Sequence, residues 1–101
     1  MATYVEYVTY TVENVDDNFL NLRRDAVLAV KDRHPNLVSV PVFTHDGNGA
    51  CTEIWIYASK QDADRANEDC PTIPEFAKYA EYLRNLKIVA EDMPKESEIA
   101  L

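Results

Sequence analysis

The stretch Ala50-Cys-Thr-Glu-Ile-Trp-Ile-Tyr-Ala-Ser59 decides the fold of this chain. Side chains of a strand alternate between two faces, and here Trp55 and Tyr57 share one face while Ile54 and Ile56 share the other. A half-exposed strand would alternate apolar and polar residues, so we predict a strand covered on both faces, at the centre of a sheet. Trp55 and Tyr57 are the best candidates for the floor of a ligand site, although the same pattern also fits plain core residues.

This strand passes directly into a helix. Ser59 is a preferred N-cap residue, and Asp62 follows at the third helical position, near the positive end of the helix dipole. We predict a helix from Lys60 to about Asp69 whose inner stripe is small or polar: Ala63, Ala66, Asn67 and Cys70. Small residues leave room between helix and sheet. Asn67 is then either a donor facing that space or a buried amide satisfied by the helix break near Pro71.

The remaining elements follow from the same kinds of pattern. We predict a strand over 3–12, a helix over 16–33, a strand over 37–44, a second helical region that breaks at two prolines and continues to Arg84, and a strand over 86–91. Pro41 cannot donate a ladder hydrogen bond, which places the second strand at a sheet edge. Thr72 and Glu75 have the spacing of a capping box. Glu6 is either an acid at the edge of a pocket or a residue near the fraying strand start, and we favour the second.

The predicted order is strand, helix, strand, hairpin, strand, helix, strand, which is the split β-α-β arrangement of a ferredoxin-like α+β domain. We expect one domain over 1–101, with its core at about 3–92 and a loose tail over 93–101. Two helices cover only one face of a four-stranded antiparallel sheet, yet both faces carry apolar residues. The simplest cover for the second face is another copy of the chain, so we predict a homodimer.

Composition excludes several classes of function. The net charge of −8 argues against nucleic acid and against anionic membrane surfaces, whose phosphates would be repelled. No apolar run approaches the length of a membrane span, and the N-terminus is unlike a signal peptide, so we expect a cytoplasmic protein. Cys51 and Cys70 could form a disulfide, but are expected to be buried thiols. They and the two histidines lack metal-ligand spacing, so no protein-held metal is expected.

The chain resembles the dimeric α+β barrels of the antibiotic-biosynthesis-monooxygenase type over roughly 3–92. The resemblance is carried by the Tyr57-Ala-Ser59 step at the end of the strand, by the small-residue helix Asp62-Ala-Asp-Arg-Ala66 and by the break Cys70-Pro-Thr-Ile-Pro-Glu-Phe76. Members of this family include cofactor-free oxygenases of phenolic and quinol-like substrates, haem-degrading enzymes and proteins of no known activity. The family often has tryptophan in the aromatic-x-Ser step, whereas this chain has Tyr57 there and its tryptophan two residues earlier.

Haem degradation is not expected, because the second helix has Asp64, Arg65 and Asn67 where haem-degrading members place an axial histidine. The resemblance instead implies a cofactor-independent monooxygenase of a small phenolic or quinol-like aromatic, with neither metal nor flavin. Such a site must hold the ring, exclude bulk water and stabilise the phenolate-type anion.

We therefore expect a substrate site with aromatic walls and a few polar groups. The candidate substrate-binding residues are Trp55, Tyr57, Phe76, Tyr79 and Tyr7. The candidate catalytic residues are Asn67, as a donor to the anion, and His45 or Glu53, as the base, although a histidine at a hairpin turn is more often an exposed residue. The alternative function is a non-catalytic dimeric barrel that binds a small hydrophobic ligand or serves in a stress response. A cofactor-independent isomerase or cyclase lies between the two.

Overall fold

Four antiparallel strands form one sheet, and three helices lie against one of its faces. The structure is a computed structural model that describes residues 3–95 and 97–101. Its elements are β1 (Thr3–Thr11), α1 (Asp17–Arg33), β2 (Leu37–His45), β3 (Ala50–Tyr57), α2 (Lys60–Asp69), α3 (Pro74–Ala80) and β4 (Arg84–Met93), with a 3₁₀ turn (Cys70–Thr72) joining α2 to α3. The strand order β2-β3-β1-β4 confirms the predicted ferredoxin-like α+β fold.

The strands β1 and β3 are central, and β2 is an edge strand, as its Pro41 predicts. Residues directly opposite each other in the β1–β3 ladder include Glu6 with Trp55 and Tyr10 with Cys51. All four of these side chains are buried beneath the helices. The face of the sheet that bears Trp55 and Tyr57 is therefore the helix-facing one.

Side-chain caps fix where the two longer helices begin. Asp16 Oδ1 accepts a hydrogen bond from the backbone N–H of Phe19 at 2.9 Å, and α1 starts at the next residue, Asp17. Ser59 Oγ accepts from the backbone N–H of Asp62 at 3.2 Å, which starts α2 as predicted. None of the helices within residues 3–95 and 97–101 is long and apolar enough to cross a membrane.

The second helical region ends earlier than predicted. The α3 helix ends at Ala80, not at Arg84, because backbone bonds from Tyr82 and Leu83 to carbonyls three residues earlier tighten the chain into turns. The last strand then begins at Arg84 rather than at residue 86, and it pairs with β1 along its length. The predicted capping box is wrong, since Thr72 is drawn into the 3₁₀ turn, where its hydroxyl donates to the Asp69 carbonyl at 2.8 Å.

Candidate functional site

A small cavity lies between the helix-facing side of the sheet, the α2–α3 region and the start of β4. Its interior space is ≈ 40 Å³, which is room for a few water molecules. The residues that line it are Glu6, Val8, Trp55, Tyr57, Asn67, Cys70, Phe76, Tyr79, Leu83, Leu86 and Ile88. The innermost of them are buried, whereas Leu86 and Ile88 are 53% and 44% exposed and mark the mouth.

Aromatic rings form two walls of this cavity. Trp55 and Tyr57 come from the central strand β3, and they are 5% and 1% exposed. Phe76 and Tyr79 come from α3, and their ring centroids lie 5.7 Å apart in an edge-to-face arrangement. The structure thus brings together four of the aromatic residues selected from the sequence.

The polar wall of the cavity is a carboxyl–amide pair. The Glu6 side chain is 4% exposed, and its Oε2 accepts a hydrogen bond from Asn67 Nδ2 at 2.6 Å. Burial raises the pKa of Glu6 above its ordinary value of 4.5, the bond from Asn67 opposes that shift, and the nearby charge of Asp64 adds to it. The cavity wall therefore contains a carboxyl group whose charged form is less favoured than that of an exposed glutamate.

Both members of this pair differ from their predicted placement. Asn67 does not lie on a buried inner stripe: it is exposed at the rim of the cavity, and its partner is Glu6 rather than the helix break. Glu6 is not at a fraying strand start but inside the cavity wall. The strand alternation could have predicted this position. Glu6 lies on the same strand face as Val8 and Tyr10, both of which are buried.

A second polar cluster lies behind the aromatic wall. Glu53 is fully buried and does not line the cavity. Its Oε2 accepts hydrogen bonds from the hydroxyls of Tyr10 and, at 2.6 Å, Tyr79, while its Oε1 accepts from Trp55 Nε1 at 3.0 Å. Burial, then the charge of Glu53, raises the pKa of both tyrosines. Glu53 thus holds the side chains of Trp55 and Tyr79 in place, and both of these residues also line the cavity.

Arg23 of α1 supplies the counter-charge of this cluster. Its Nε lies 3.1 Å from Glu53 Oε1, but it has no partner in hydrogen-bond geometry, so the contact is an ion pair. The guanidinium also lies over the Phe43 ring, 4.5 Å from its centroid. A buried carboxylate that contacts a cation and accepts three hydrogen bonds has the cost of its burial offset. The same contacts fix the positions of the side chains around it.

Besides Glu53, two further residues from the predicted site lie outside the cavity. His45 is exposed at the hairpin turn, where its Nδ1 accepts from the backbone N–H of Gly47 at 3.3 Å. Tyr7 is 42% exposed and faces the side of the sheet opposite the helices, across from Ile54 in the β1–β3 ladder. The structure brings neither of them to the cavity.

Cys51 and Cys70 are free, buried thiols, and no disulfide joins them. Burial, the largest cause, raises the pKa of the Cys70 thiol to about 12. In the part of the chain that the structure describes, no group of three or more histidine, cysteine, aspartate or glutamate residues is arranged to hold a metal ion.

No protein-family model matches the sequence, and no curated protein matches it significantly. Solved structures do match. SnoaB, a cofactor-independent oxygenase from Streptomyces nogalater, superposes with a TM-score of 0.70 over 98% of each chain at 13% sequence identity. A protein from Nitrosomonas europaea, provisionally named as an antibiotic biosynthesis monooxygenase, has a TM-score of 0.62 at 12% identity over 95% of this chain and 94% of that one.

The chain has the antibiotic-biosynthesis-monooxygenase-type fold. Proteins of other names share this fold: a NIPSNAP family protein of unknown function from Agrobacterium tumefaciens has a TM-score of 0.66 at 16% identity over 94% of this chain and 91% of its own. At these identities the likeness concerns the fold, and the monooxygenase-type fold hosts more than one function. The fold therefore does not decide the function, which depends on the residues that line the cavity.

Proposed function

We propose that this protein is a cofactor-independent monooxygenase that oxidises a small phenolic or quinol-like aromatic with dioxygen. The observation that carries the proposal is the combination of walls in one cavity: aromatic rings on two sides and the Glu6–Asn67 pair on a third. A cavity that is mostly apolar with a few convergent polar groups is the usual form of a small-molecule site. The fold shared with SnoaB, a cofactor-independent oxygenase, supports the same choice.

The reaction needs little from the protein beyond shape and proton handling. Deprotonation of the ring hydroxyl gives a phenolate that can pass one electron to dioxygen, and the two resulting radicals combine to form a carbon–oxygen bond. Loss of water from the hydroperoxide then gives a quinone, so that a phenol and O₂ become a quinone and H₂O. One oxygen atom enters the product and the other leaves in water.

Each wall has a role in this proposal. Trp55 and Tyr57 offer flat faces on which an aromatic ring can stack, and Phe76 and Tyr79 close over it. Asn67 Nδ2 carries two hydrogens, of which one is donated to Glu6. No residue of ranges 3–95 and 97–101 accepts the second, which can therefore stabilise the phenolate oxygen, where negative charge develops. His45 and Glu53 lie outside the cavity, so this scheme assigns the proton to neither.

The ligand must widen the cavity when it binds. Ligand pockets commonly measure ~300–1,000 Å³, whereas this one holds ≈ 40 Å³. Phe76 is only partly buried, and Leu86 and Ile88 are exposed, so we expect the wall that these residues form to move outward.

We also propose that the working unit is a homodimer, held by the face of the sheet that the helices leave open, and that it acts in the cytoplasm. Tyr7, Ile54 and Val89 place apolar side chains on that open face, in register across the β4–β1–β3 ladders. Tyr7 and Val89 are 42% and 45% exposed in the single chain, and a second sheet would cover them.

The test is oxygen uptake by metal-free protein, measured with an electrode against a panel of anthrones, naphthohydroquinones and catechols. At least one compound should give uptake well above the buffer control. Asn67→Ala should lower the rate on the order of 10²–10³-fold, the usual effect of removing a positioned donor to an anion. Asn21→Ala, an exposed asparagine of α1, is the matched control and should leave the rate unchanged.

Uptake equal to the buffer control across the panel would overturn the oxygenase proposal and favour a binding protein. Uptake that survives Asn67→Ala unchanged would remove the role of Asn67 alone.

A further inference from the structure

Glu6 is the one carboxyl group, among the residues that the structure describes, that lines the cavity. Its position is set by two elements. Register in the β1–β3 ladder places it directly opposite Trp55, and α2 brings Asn67 over it, so that Oε2 is held at 2.6 Å. A carboxyl group fixed by a neighbour's hydrogen bond keeps one orientation, which is what a proton acceptor requires.

The two oxygens of Glu6 are not equivalent. Oε2 is occupied by Asn67, whereas Oε1 accepts no hydrogen bond from the residues that the structure describes and is not sealed in the core. Oε1 is therefore the atom that a ligand hydroxyl in the cavity can reach. Glu53, the other buried glutamate, has both oxygens engaged and would have to break existing bonds to take a proton.

We propose that Glu6 is the catalytic base of this site and that Asn67, besides donating to the phenolate, holds Glu6 in position, an inference that rests on the proposed function. In the step, the O–H bond of the phenol breaks and a new O–H bond forms on Glu6 Oε1. The negative charge moves from the carboxylate to the ring oxygen, so charge and protons balance. The carboxyl proton is then available for the water that leaves.

The surroundings of Glu6 suit this exchange. The titratable groups that face it are Asp64 of α2, Tyr57 of β3 and Cys70 after α2, while β4 places the neutral Ala90 opposite it. None of these is a cation, so the hydrogen bond from Asn67 is the one interaction among them that favours the charged carboxylate, and burial outweighs it. The raised pKa of Glu6 makes it a stronger base than an exposed carboxylate.

Trp55 is the only tryptophan of the chain and lines the same cavity, so its fluorescence reports on Glu6 without any turnover. Wild-type protein should show a one-proton fluorescence transition centred above pH 4.5, and Glu6→Gln should abolish it. Asn67→Ala should move the transition to higher pH, because the bond that lowers the pKa of Glu6 is lost. A merely structural asparagine would not move it.

Turnover gives the second measurement. Glu6→Gln keeps the size of the side chain and should lower the oxygen-uptake rate on the order of 10²–10⁴-fold, the range for loss of a general base. Glu6→Asp, which restores a carboxyl group, should recover both the transition and part of the rate. Glu68→Gln, at an exposed site on α2, is the matched control and should change neither.

The outcomes separate the two proposals. A transition that persists in Glu6→Gln, or a rate that Glu6→Gln leaves unchanged, would overturn the assignment of Glu6 while leaving an oxygenase. A Glu6-dependent transition without uptake from any compound would overturn the oxygenase proposal, and with it the role of Glu6 as its base, while confirming a titrating carboxyl in the cavity.

Discussion

The burial of Glu6 suits its proposed role as a base but costs the protein stability. Burying a carboxyl group with one amide partner and no cation disfavours its charged form. Natural sites accept such a cost where a function needs the group. The neighbouring pocket residue Trp55 carries no comparable cost, because it is uncharged and its indole N–H donates to Glu53.

The stability of the protein should therefore fall as pH rises through the titration of Glu6. Its folded pKa lies above its ordinary 4.5, so the folded state holds a proton that the unfolded state has lost. Stabilisation is complete below pH 4.5 and disappears as pH passes the raised folded value. Glu6→Gln has no such titration. At low pH the melting temperature of Glu6→Gln should about equal that of wild type. Across this window the difference in favour of Glu6→Gln should grow, and at higher pH it should stay constant.

Thermal melts of wild type and Glu6→Gln at a series of pH values measure this difference in melting temperature. The effects of all other titrating groups are the same in both proteins and cancel in the difference. A difference that is flat across the whole range would contradict a raised pKa for Glu6.

Glu53 should matter for stability rather than for the chemical step. Glu53→Gln leaves the Arg23 guanidinium beside a neutral amide in the core, and removing one partner of a buried ion pair typically costs about 3–5 kcal/mol. Urea unfolding followed by circular dichroism measures that loss. Asp25→Asn, which alters an exposed pair on the same helix, should stay within about 0.5 kcal/mol of wild type. A loss for Glu53→Gln within about 1 kcal/mol, the range of surface pairs, would contradict the role of Glu53 as an anchor.

At the level of single residues, strand phase was the reliable signal. The period-two pattern placed Trp55 and Tyr57 on one strand face, and the structure shows that this face lies toward the helices. The same phase applied to Glu6 predicts burial, but the polarity of glutamate argued against it. Only the position of Asn67 on α2 explains how that carboxyl is satisfied, and no sequence spacing reveals a pair that is 61 residues apart.

Among the elements, the β2–β3 hairpin shows how a turn is tied to the rest of the sheet. Gly49 has φ of +94°, and its carbonyl accepts the backbone N–H of Val12 at 2.9 Å, which joins the hairpin to the end of β1. A Cβ at position 49 would lie 2.2 Å from the Val12 carbonyl oxygen, whereas a Cβ at Gly47, with φ of +86°, would meet open space.

Substitution at these two glycines should thus have different effects. Gly47→Ala carries only the backbone penalty of the left-handed region, about 1–2 kcal/mol. Gly49→Ala carries the same penalty and in addition a clash with backbone, so it should be clearly the less stable of the two. Chemical denaturation of the pair checks this, and equal stabilities would contradict the close approach of Gly49 to Val12.

Elements with strong local signals were predictable, and those fixed by tertiary pairing were not. Pro41 identified the edge strand, and Ser59 marked a helix start. The residues after Ala80 look helical in isolation, but pairing with β1 takes the chain into β4 from Arg84 onward. Pairing over a whole strand outweighs local helix preference, which is why both boundaries were displaced.

For the whole molecule, the main feature that the single chain leaves exposed is the apolar face of the sheet opposite the helices. We predict that the protein sediments as a homodimer of about twice 11.5 kDa at micromolar concentration. Ile54→Lys should yield a monomer, because a charge would be buried between the two sheets. Leu28→Lys, at a site that is 60% exposed on α1, should leave the dimer intact. A wild-type monomer at that concentration would contradict the dimer.

The claim that this cavity is the site of a monooxygenation is tested most directly by isotope labelling. Metal-free protein is incubated under ¹⁸O₂ with the compound that gives uptake, and the product is analysed by mass spectrometry before its carbonyls exchange with water. Monooxygenation at this cavity predicts one ¹⁸O atom per product molecule, and Glu6→Gln should lower the amount of labelled product in step with its lower uptake rate. A product that carries only oxygen from water, or no protein-dependent product, would contradict it.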